Sequence, residues 1–220
     1  MSNLKKNKKK KQLRSYMAKG LIVLTIILLI LIGYRIISTR DDYTERKGEE
    51  IDASKPDIEV ALLTQNPNSR PGLSTLKIKN IVVHYTANPG STAMDNRNYF
   101  ESLKDETKTQ ASSNFIVGME GEIVQCVPTW EIAYASNDRN IDSVSIEFCH
   151  PDVSGKPTEE TYQSLTQLCA WLCKKFELTQ DDIIRHYDIT GKICPKYFVD
   201  EEEAFKTFKA DVGAAIERGE

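Results

Sequence analysis

The first forty residues contain no acidic side chain, although they hold ten of the 29 lysines and arginines of the chain. The remaining 180 residues therefore carry 19 basic side chains against all 32 acidic ones, a net charge of −13. A domain this acidic lacks the basic face that contacts with nucleic-acid phosphates require. We therefore expect no nucleic-acid partner.

The chain also lacks internal repeats and strong compositional bias. Hydrophobic residues make up 40% and charged residues 28%. These values exclude a disordered chain and a collagen-like repeat. A length of 220 residues suits one domain of typical size with an appendage.

The appendage is N-terminal and has the pattern of a membrane anchor. Residues 1–19 form a basic tail, and residues 20–37 form an apolar run, GLIVLTIILLILIGYRII, without a charge before Arg35. This length is at the short edge of what a hydrocarbon core of about 30 Å needs, and Arg35 can snorkel to the far interface. A cleaved signal peptide is disfavoured because no Ala-x-Ala pattern follows Ile37.

The lysine-rich tail should remain in the cytoplasm by the positive-inside rule. This predicts a single-pass membrane protein whose C-terminal part is extracellular. Residues 38–57 are rich in charge and predict a solvated linker. Residues 58–220 then form the outer domain.

Strand and helix patterns alternate in the outer domain, so we predict a mixed α/β fold with a central β-sheet flanked by helices. The segment from Leu76 to Thr86 ends in a β-branched apolar run and predicts a core strand with His84 near its end. Residues 112–128 predict a hairpin that turns at Glu120 and Gly121. In residues 143–150, alternation places Glu147 on the face opposite the core side chains.

Three helices are predicted. The first runs from Met94 to Leu103, and the last from about Asp200 to Arg218. The second runs from Thr158 to Phe176, with Thr158 as its N-cap and acidic residues in its first turn.

The segment Arg185–Pro195, RHYDITGKICP, combines the residue types that zinc prefers. It places Lys192 six residues and Cys194 eight residues after His186, and His84 is a second histidine at a strand end. A lone histidine is more often structural, but imidazole and thiolate together are the ligands of Zn²⁺ sites. A site with few protein ligands keeps an open position for water.

At this point the sequence resembles a known family, the zinc-dependent N-acetylmuramoyl-L-alanine amidases of the type 2 amidase and peptidoglycan recognition protein fold. The motifs that carry the resemblance are RPG, VVHYTANPG, SSNFIVGMEGEIVQCVP, SVSIEFCHP and RHYDITGKICPKYF. The resemblance covers most of the outer domain, roughly residues 58–212. The resemblance implies peptidoglycan as the substrate and a Zn²⁺ cofactor bound by His84, His186 and Cys194. It also implies Glu147 as the base and Lys192 as a catalytic lysine.

Two adjacent positions depart from the family pattern. Ser113 stands where other members carry a catalytic tyrosine, so the role of base falls on Glu147, and Asn114 stands where bacterial relatives often have histidine. We interpret Asn114 as a packing and hydrogen-bonding residue. His150 is interpreted as structural, and Tyr85, Asn88 and Trp130 are either substrate contacts or packing residues.

Two alternatives and the cysteines remain open. A binding module of the same fold would recognise peptidoglycan without cutting it, and the presence of Cys194 argues against it. A purely structural zinc site would need a fourth protein ligand, which the sequence does not offer. Four cysteines are not assigned to the metal, and they either pair in an oxidising exterior or remain small buried apolar groups; they are Cys126, Cys149, Cys169 and Cys173.

Overall fold

The structure is a computed structural model that describes Lys19, Gly20, Thr25, Ile27, Leu28, Ile30, residues 51–105 and residues 108–219. Its contacts divide the chain into two units, Met1–Glu50 and Ile51–Glu220. In the first unit the six described residues are helical and exposed. Within the described part of the chain, no helix has the length and apolar character needed to cross a membrane. Most of the predicted tail, span and linker lies outside the described residues.

The second unit is built on a six-stranded mixed sheet in the order β1-β4-β3-β5-β2-β6. The strands β3, β5, β2 and β6 are parallel to one another, and β4 is antiparallel to β3 and parallel to β1. Their bounds are β1 Glu59–Val60, β2 Asn80–Tyr85, β3 Phe115–Val117, β4 Ile123–Gln125, β5 Ser143–Phe148 and β6 Ile183–Arg185. The predicted mixed α/β fold with a central sheet is therefore confirmed.

The central strand β2 lies between β5 and β6, and this position explains its apolar run. Ile81, Val82 and Val83 are completely buried, as expected for a parallel strand that is covered on both faces. The strand begins at Asn80 rather than at Leu76. The preceding residues make isolated bonds to the loop before β5, such as Leu76 N–H to the Ile141 carbonyl at 2.7 Å.

Helices cover both faces of the sheet. Their bounds are α1 Ala93–Ser102, α2 Glu159–Phe176, α3 His186–Thr190, α4 Lys196–Asp200 and α5 Glu202–Arg218. Apolar side chains of α2 and α5 pack on one face, together with Val144, Ile146 and Phe148 of β5. Ala93 and Phe100 of α1 pack on the other face. Glu147 lies on the α1 face, as its alternation with Ile146 and Phe148 predicted.

The capping and turn predictions are confirmed in detail. Thr158 caps α2 by accepting a hydrogen bond from the backbone N–H of Thr161 at 3.1 Å. The hairpin between β3 and β4 turns at Gly121, whose φ of +83° lies in the left-handed region that glycine adopts without strain. The predicted last helix, from about Asp200 to Arg218, is confirmed as α5. The short helix α4 before it was not predicted, and Glu201, whose backbone is not helical, separates the two.

The compact unit begins before the predicted boundary at Ile58. Ala53 is buried in the core, and Arg218 Nε donates to the Ile51 carbonyl at 2.7 Å. Residues 51–57, which the charge pattern assigned to the linker, thus pack against the end of α5. The apolar side chains of Ile51 and Ala53 supply the contact that the surrounding charges obscured.

Candidate functional site

The candidate site lies at the C-terminal ends of β2, β5 and β6, where parallel strands of an open sheet commonly present ligand-binding residues. His84 is the fifth residue of β2 and is in register with Glu147 of β5. Register partners on adjacent strands have side chains on the same face, with Cβ atoms about 5 Å apart. The strand pairing alone therefore brings His84 next to Glu147.

His186 and Cys194 reach the site through the part of the chain that follows β6. His186 directly follows β6 and begins α3, and Gly191 ends this short helix with a φ of +77°. The Tyr187 backbone N–H then donates to the Cys194 carbonyl at 2.9 Å. This reversal returns the chain toward His186, so the eight-residue spacing places both side chains at one point.

His84, His186 and Cys194 form a cluster. One ligand atom from each residue, an imidazole nitrogen or the sulfur, lies within 4.8 Å of the other two, and all three residues are buried. The two imidazole rings meet edge to face at a centroid distance of 4.8 Å, and Cys194 Sγ lies 3.7 Å from His84 Nδ1. Two nitrogens and one sulfur are a donor set that suits zinc.

Three buried atoms at the site lack a hydrogen-bond partner within the described part of the chain. They are His186 Nδ1, Glu147 Oε2 and Thr86 Oγ1. Leaving such an atom unpaired costs about 1–3 kcal/mol, so all three atoms are available to a ligand. The Nε2 atoms of both histidines, in contrast, have partners in Ser136 and Asn137.

Burial sets the charge state of these groups. It lowers the pKa values of His84 and His186, which keeps both imidazoles neutral and able to bind a metal. It raises the pKa of Cys194 to about 12, with a further contribution from Glu147. It also raises the pKa of Glu147 to about 8, although the charge of Lys192 acts in the opposite direction.

A cavity of about 550 Å³ opens above the cluster. All five residues that the sequence assigned to metal binding and catalysis line it: His84, Glu147, His186, Lys192 and Cys194. Lys192 is exposed, so its ammonium belongs to the accessible part of the cavity. The structure thus brings together every predicted site residue.

Ser113 and Asn114, the two residues that depart from the family pattern, both bond to neighbouring parts of the fold. Ser113 is completely buried, and its hydroxyl donates to backbone carbonyls of Phe115 and Ser145 rather than facing the cavity. Asn114 bonds to β5 through Ser145 and to the chain after β4 through Pro128. Ser113 therefore offers no substitute for a phenol, and Asn114 has the packing and hydrogen-bonding role that we predicted.

The remaining sequence candidates separate into two groups. Tyr85 lines the cavity, and His150 stacks on its ring at 5.1 Å while donating from Nδ1 to the Asp152 carbonyl. Trp130 is 66% exposed and lines a different groove beside Lys175. Asn88 lies in a turn in which its carbonyl accepts from Ser91. Of the three suggested substrate contacts, the structure supports only Tyr85.

Several residues that line the cavity were not predicted from the sequence as part of the site. Asn96, Tyr99 and Tyr134 line the cavity with Asn137. They come from α1 and from the loop before β5, and no spacing relates them to the motifs. Residues 136–138 belong to none of the sequence motifs, and nothing in the sequence indicated which side chains this segment would contact.

The five cysteines are all free and buried. Cys126 and Cys149 belong to the core on the α1 side of the sheet, and Cys169 and Cys173 belong to the core on the α2 side. Burial raises the pKa values of all four thiols. In this structure they are small apolar core groups, which was one of the two possibilities left open.

Comparison with known proteins agrees with the geometry. A family model described as N-acetylmuramoyl-L-alanine amidase matches residues 74–197. The amidase CwlL of Bacillus licheniformis is 35% identical over 163 residues, which are 69% of this chain and 45% of that protein. The amidase BlyA of Bacillus subtilis strain 168 is 34% identical over 172 residues, with the same two shares.

The fold is also shared with a solved structure. The catalytic domain of XlyA is 25% identical, with a TM-score of 0.60 over 72% of this chain and 100% of that domain. The chain spans less than half the length of the curated relatives it matches.

Proposed function

The chain belongs to the N-acetylmuramoyl-L-alanine amidase family, and on this premise we propose that it hydrolyses the amide bond between N-acetylmuramic acid and the L-alanine of the peptidoglycan stem peptide. The observation that carries the proposal is the convergence of His84, His186 and Cys194 within 4.8 Å, at a cavity that Glu147 and Lys192 also line. Zinc is the metal that this donor set fits best.

Each residue contributes a separate part of the chemistry. Zinc, when bound, supplies a water with its pKa lowered toward about 7 and polarises a carbonyl. Glu147 lies beside His84 on the next strand, where its carboxylate accepts the proton of the attacking water and returns it to the leaving amine. The Lys192 ammonium stabilises the negative charge that develops on the carbonyl oxygen.

The buried position of Glu147 shifts its pKa to a range that suits a group which first accepts a proton and later donates it. Its pKa of about 8 without a cation shows that the site holds the proton strongly. A nearby divalent charge opposes this effect and favours the carboxylate. The pKa of Glu147 is thereby brought toward neutral pH. A general base that must later donate its proton works best when its pKa lies there.

The competing function is a binding module that recognises peptidoglycan without cutting it. Such a module has no need for a thiol and a carboxylate directed at one cavity. Here Glu147 Oε2 is buried without a partner among the described residues. This unpaired atom represents a cost in stability that a ligand at this site would offset, and Cys194, 3% exposed, lies at the same cavity.

We further propose that residues 20–37 anchor the protein in the bacterial cell membrane, with the domain outside. The support is the lysine-rich tail before an apolar run and the −13 net charge after it. Ile27, Leu28 and Ile30 are helical with exposed apolar side chains. This places the site on the side of the membrane where peptidoglycan lies.

The experiment combines metal analysis with product analysis. The full chain, purified in detergent, is expected to contain about one zinc per chain and to release stem peptides with a free L-alanine amine from purified peptidoglycan, as read by mass spectrometry. Cys194→Ala should lose both properties. Full zinc occupancy in that variant would refute the ligand assignment, and intact muropeptides after digestion by the zinc-loaded protein would support the binding module instead.

A further inference from the structure

One loop contacts both histidines of the cluster. Ser136 Oγ lies 3.1 Å from His84 Nε2, and Asn137 Oδ1 lies 3.0 Å from His186 Nε2. Two adjacent residues thus contact two imidazoles that are carried by different parts of the sheet. In His84 the contacted nitrogen is the one opposite Nδ1, which faces Cys194 Sγ at 3.7 Å.

The chemistry of these partners sets the direction of the hydrogen bonds. The side-chain oxygen of asparagine only accepts, so His186 Nε2 must carry the hydrogen. His186 Nδ1 is then the bare nitrogen, and it is buried without a partner in the described part of the chain. Ser136 Oγ is able to accept in the same way from His84, which leaves the His84 Nδ1 lone pair directed toward Cys194.

The loop holds its shape through contacts of its own. Asn140 Oδ1 accepts hydrogen bonds from the backbone N–H groups of Ala135 and Ser136 at 3.0 and 2.6 Å. Ser136 is completely buried, and Asn137 has a φ of +51°, in the left-handed region that asparagine tolerates better than most residues. The two contacts to the histidines are therefore made from a fixed frame.

We propose that Ser136 and Asn137 are positioning residues that hold both imidazoles in the Nε2–H tautomer and so present both Nδ1 lone pairs to the metal. This inference rests on the metal site of the proposed function and adds residues that no metal-ligand pattern contains. Histidines that bind metals usually donate their other N–H to a fixed partner, and loss of that partner typically lowers metal affinity by about 10–100-fold.

The backbone of Asn137 allows a well-matched set of variants. Asn137→Gly removes the amide but keeps the left-handed conformation, which glycine adopts without strain. Asn137→Asp keeps an acceptor oxygen at the same place. Asp138→Asn changes the exposed next residue of the loop and serves as the control.

The first measurement is zinc affinity of the full chain in detergent, by competition with a chromophoric chelator. Asn137→Gly and Ser136→Ala should each weaken zinc binding by about 10–100-fold, whereas Asn137→Asp and Asp138→Asn should remain close to the parent protein. Unchanged affinity in both Asn137→Gly and Ser136→Ala would overturn the proposal, as would an equal loss in Asn137→Asp and Asn137→Gly.

The second measurement is the histidine tautomer in the metal-free protein, read from long-range nitrogen–proton NMR correlations. His186 should be in the Nε2–H form in the parent protein and in Asn137→Asp, and a mixture of tautomers in Asn137→Gly. A loop that merely supports the fold would lower thermal stability without changing this ratio. A pure Nε2–H form in Asn137→Gly would refute the inference, whether or not the parent protein binds zinc. A parent protein that binds no zinc would refute the metal site of the proposed function instead.

Discussion

Zinc binding should displace protons from two groups at the site, and the number of protons follows from their pKa values. At pH 7 a thiol with a pKa of about 12 is protonated in essentially every metal-free molecule, and a carboxyl with a pKa of about 8 is protonated in about nine-tenths of them. The two histidines are already neutral because burial lowers their pKa values. They therefore contribute no protons.

Metal binding requires the thiolate of Cys194, and the metal charge favours the carboxylate of Glu147. We therefore expect Cys194 and Glu147 to release about one proton each per zinc at pH 7, in addition to the fraction of a proton lost by a water whose pKa zinc lowers toward about 7. Glu147→Gln carries no ionisable group at that position, so it should release about one proton fewer than the parent protein.

The assay is isothermal titration calorimetry of zinc into the metal-free protein at pH 7, in several buffers of different ionisation enthalpy. The slope of the observed enthalpy against the buffer enthalpy gives the number of protons. Zinc affinity should also rise with pH, because the metal competes with protons for both groups. Equal proton release by the parent protein and Glu147→Gln would show that Glu147 is already ionised, and the reasoning from its burial would then be wrong.

Three further predictions concern catalysis and topology. Glu147→Gln should lower kcat by roughly 10²–10⁴-fold with zinc still bound, because the amide cannot accept a proton; near-normal peptidoglycan cleavage would place the base elsewhere. Lys192→Ala should lower kcat by about 10²–10³-fold with a smaller change in KM, since the carbonyl oxygen is fully charged only near the transition state; a change in KM alone would indicate a substrate-binding role. Protease added to wall-stripped cells should remove the domain, and complete protection would reverse the topology.

The sequence predicted those parts of the fold that depend on local pattern. Alternation in residues 143–148 gave the two faces of β5 and hence the direction of Glu147, and Thr158 marked the start of α2. The ligand set followed from the resemblance to a known amidase family, and the residue types and the spacing of His186 and Cys194 supported it. These features were predictable because the chemistry of neighbouring residues decides them.

The features that the sequence did not predict depend on tertiary contacts. Ser136 and Asn137 contact histidines from distant parts of the chain, and a serine next to an asparagine is ordinary in any loop. Ala53 belongs to the core only because α5 ends beside it. Trp130 is an aromatic residue of the type that contacts sugars, but it lies in a turn after β4 and lines another groove.

The proton held by Glu147 also has a consequence for the stability of the metal-free protein. The ordinary pKa of a glutamate is 4.5, and the buried group has a pKa of about 8. Between these values the native state binds a proton that the unfolded chain has released. The free energy of unfolding should therefore fall as pH rises through this window, by up to about 1.4 kcal/mol per pH unit from this residue.

Glu147→Gln isolates this contribution, because the amide fills the same space and does not titrate. Urea unfolding of the metal-free parent and variant, at several pH values from 5 to 8, should give curves whose difference changes steadily in favour of the variant as pH rises. Other titrating groups affect both proteins equally and cancel in the difference. Saturating zinc should remove the trend, since the metal replaces the proton as the partner of the carboxylate. A difference that stays constant with pH would mean that Glu147 is ionised in the native state, and that its carboxylate is stabilised by a contact other than the metal.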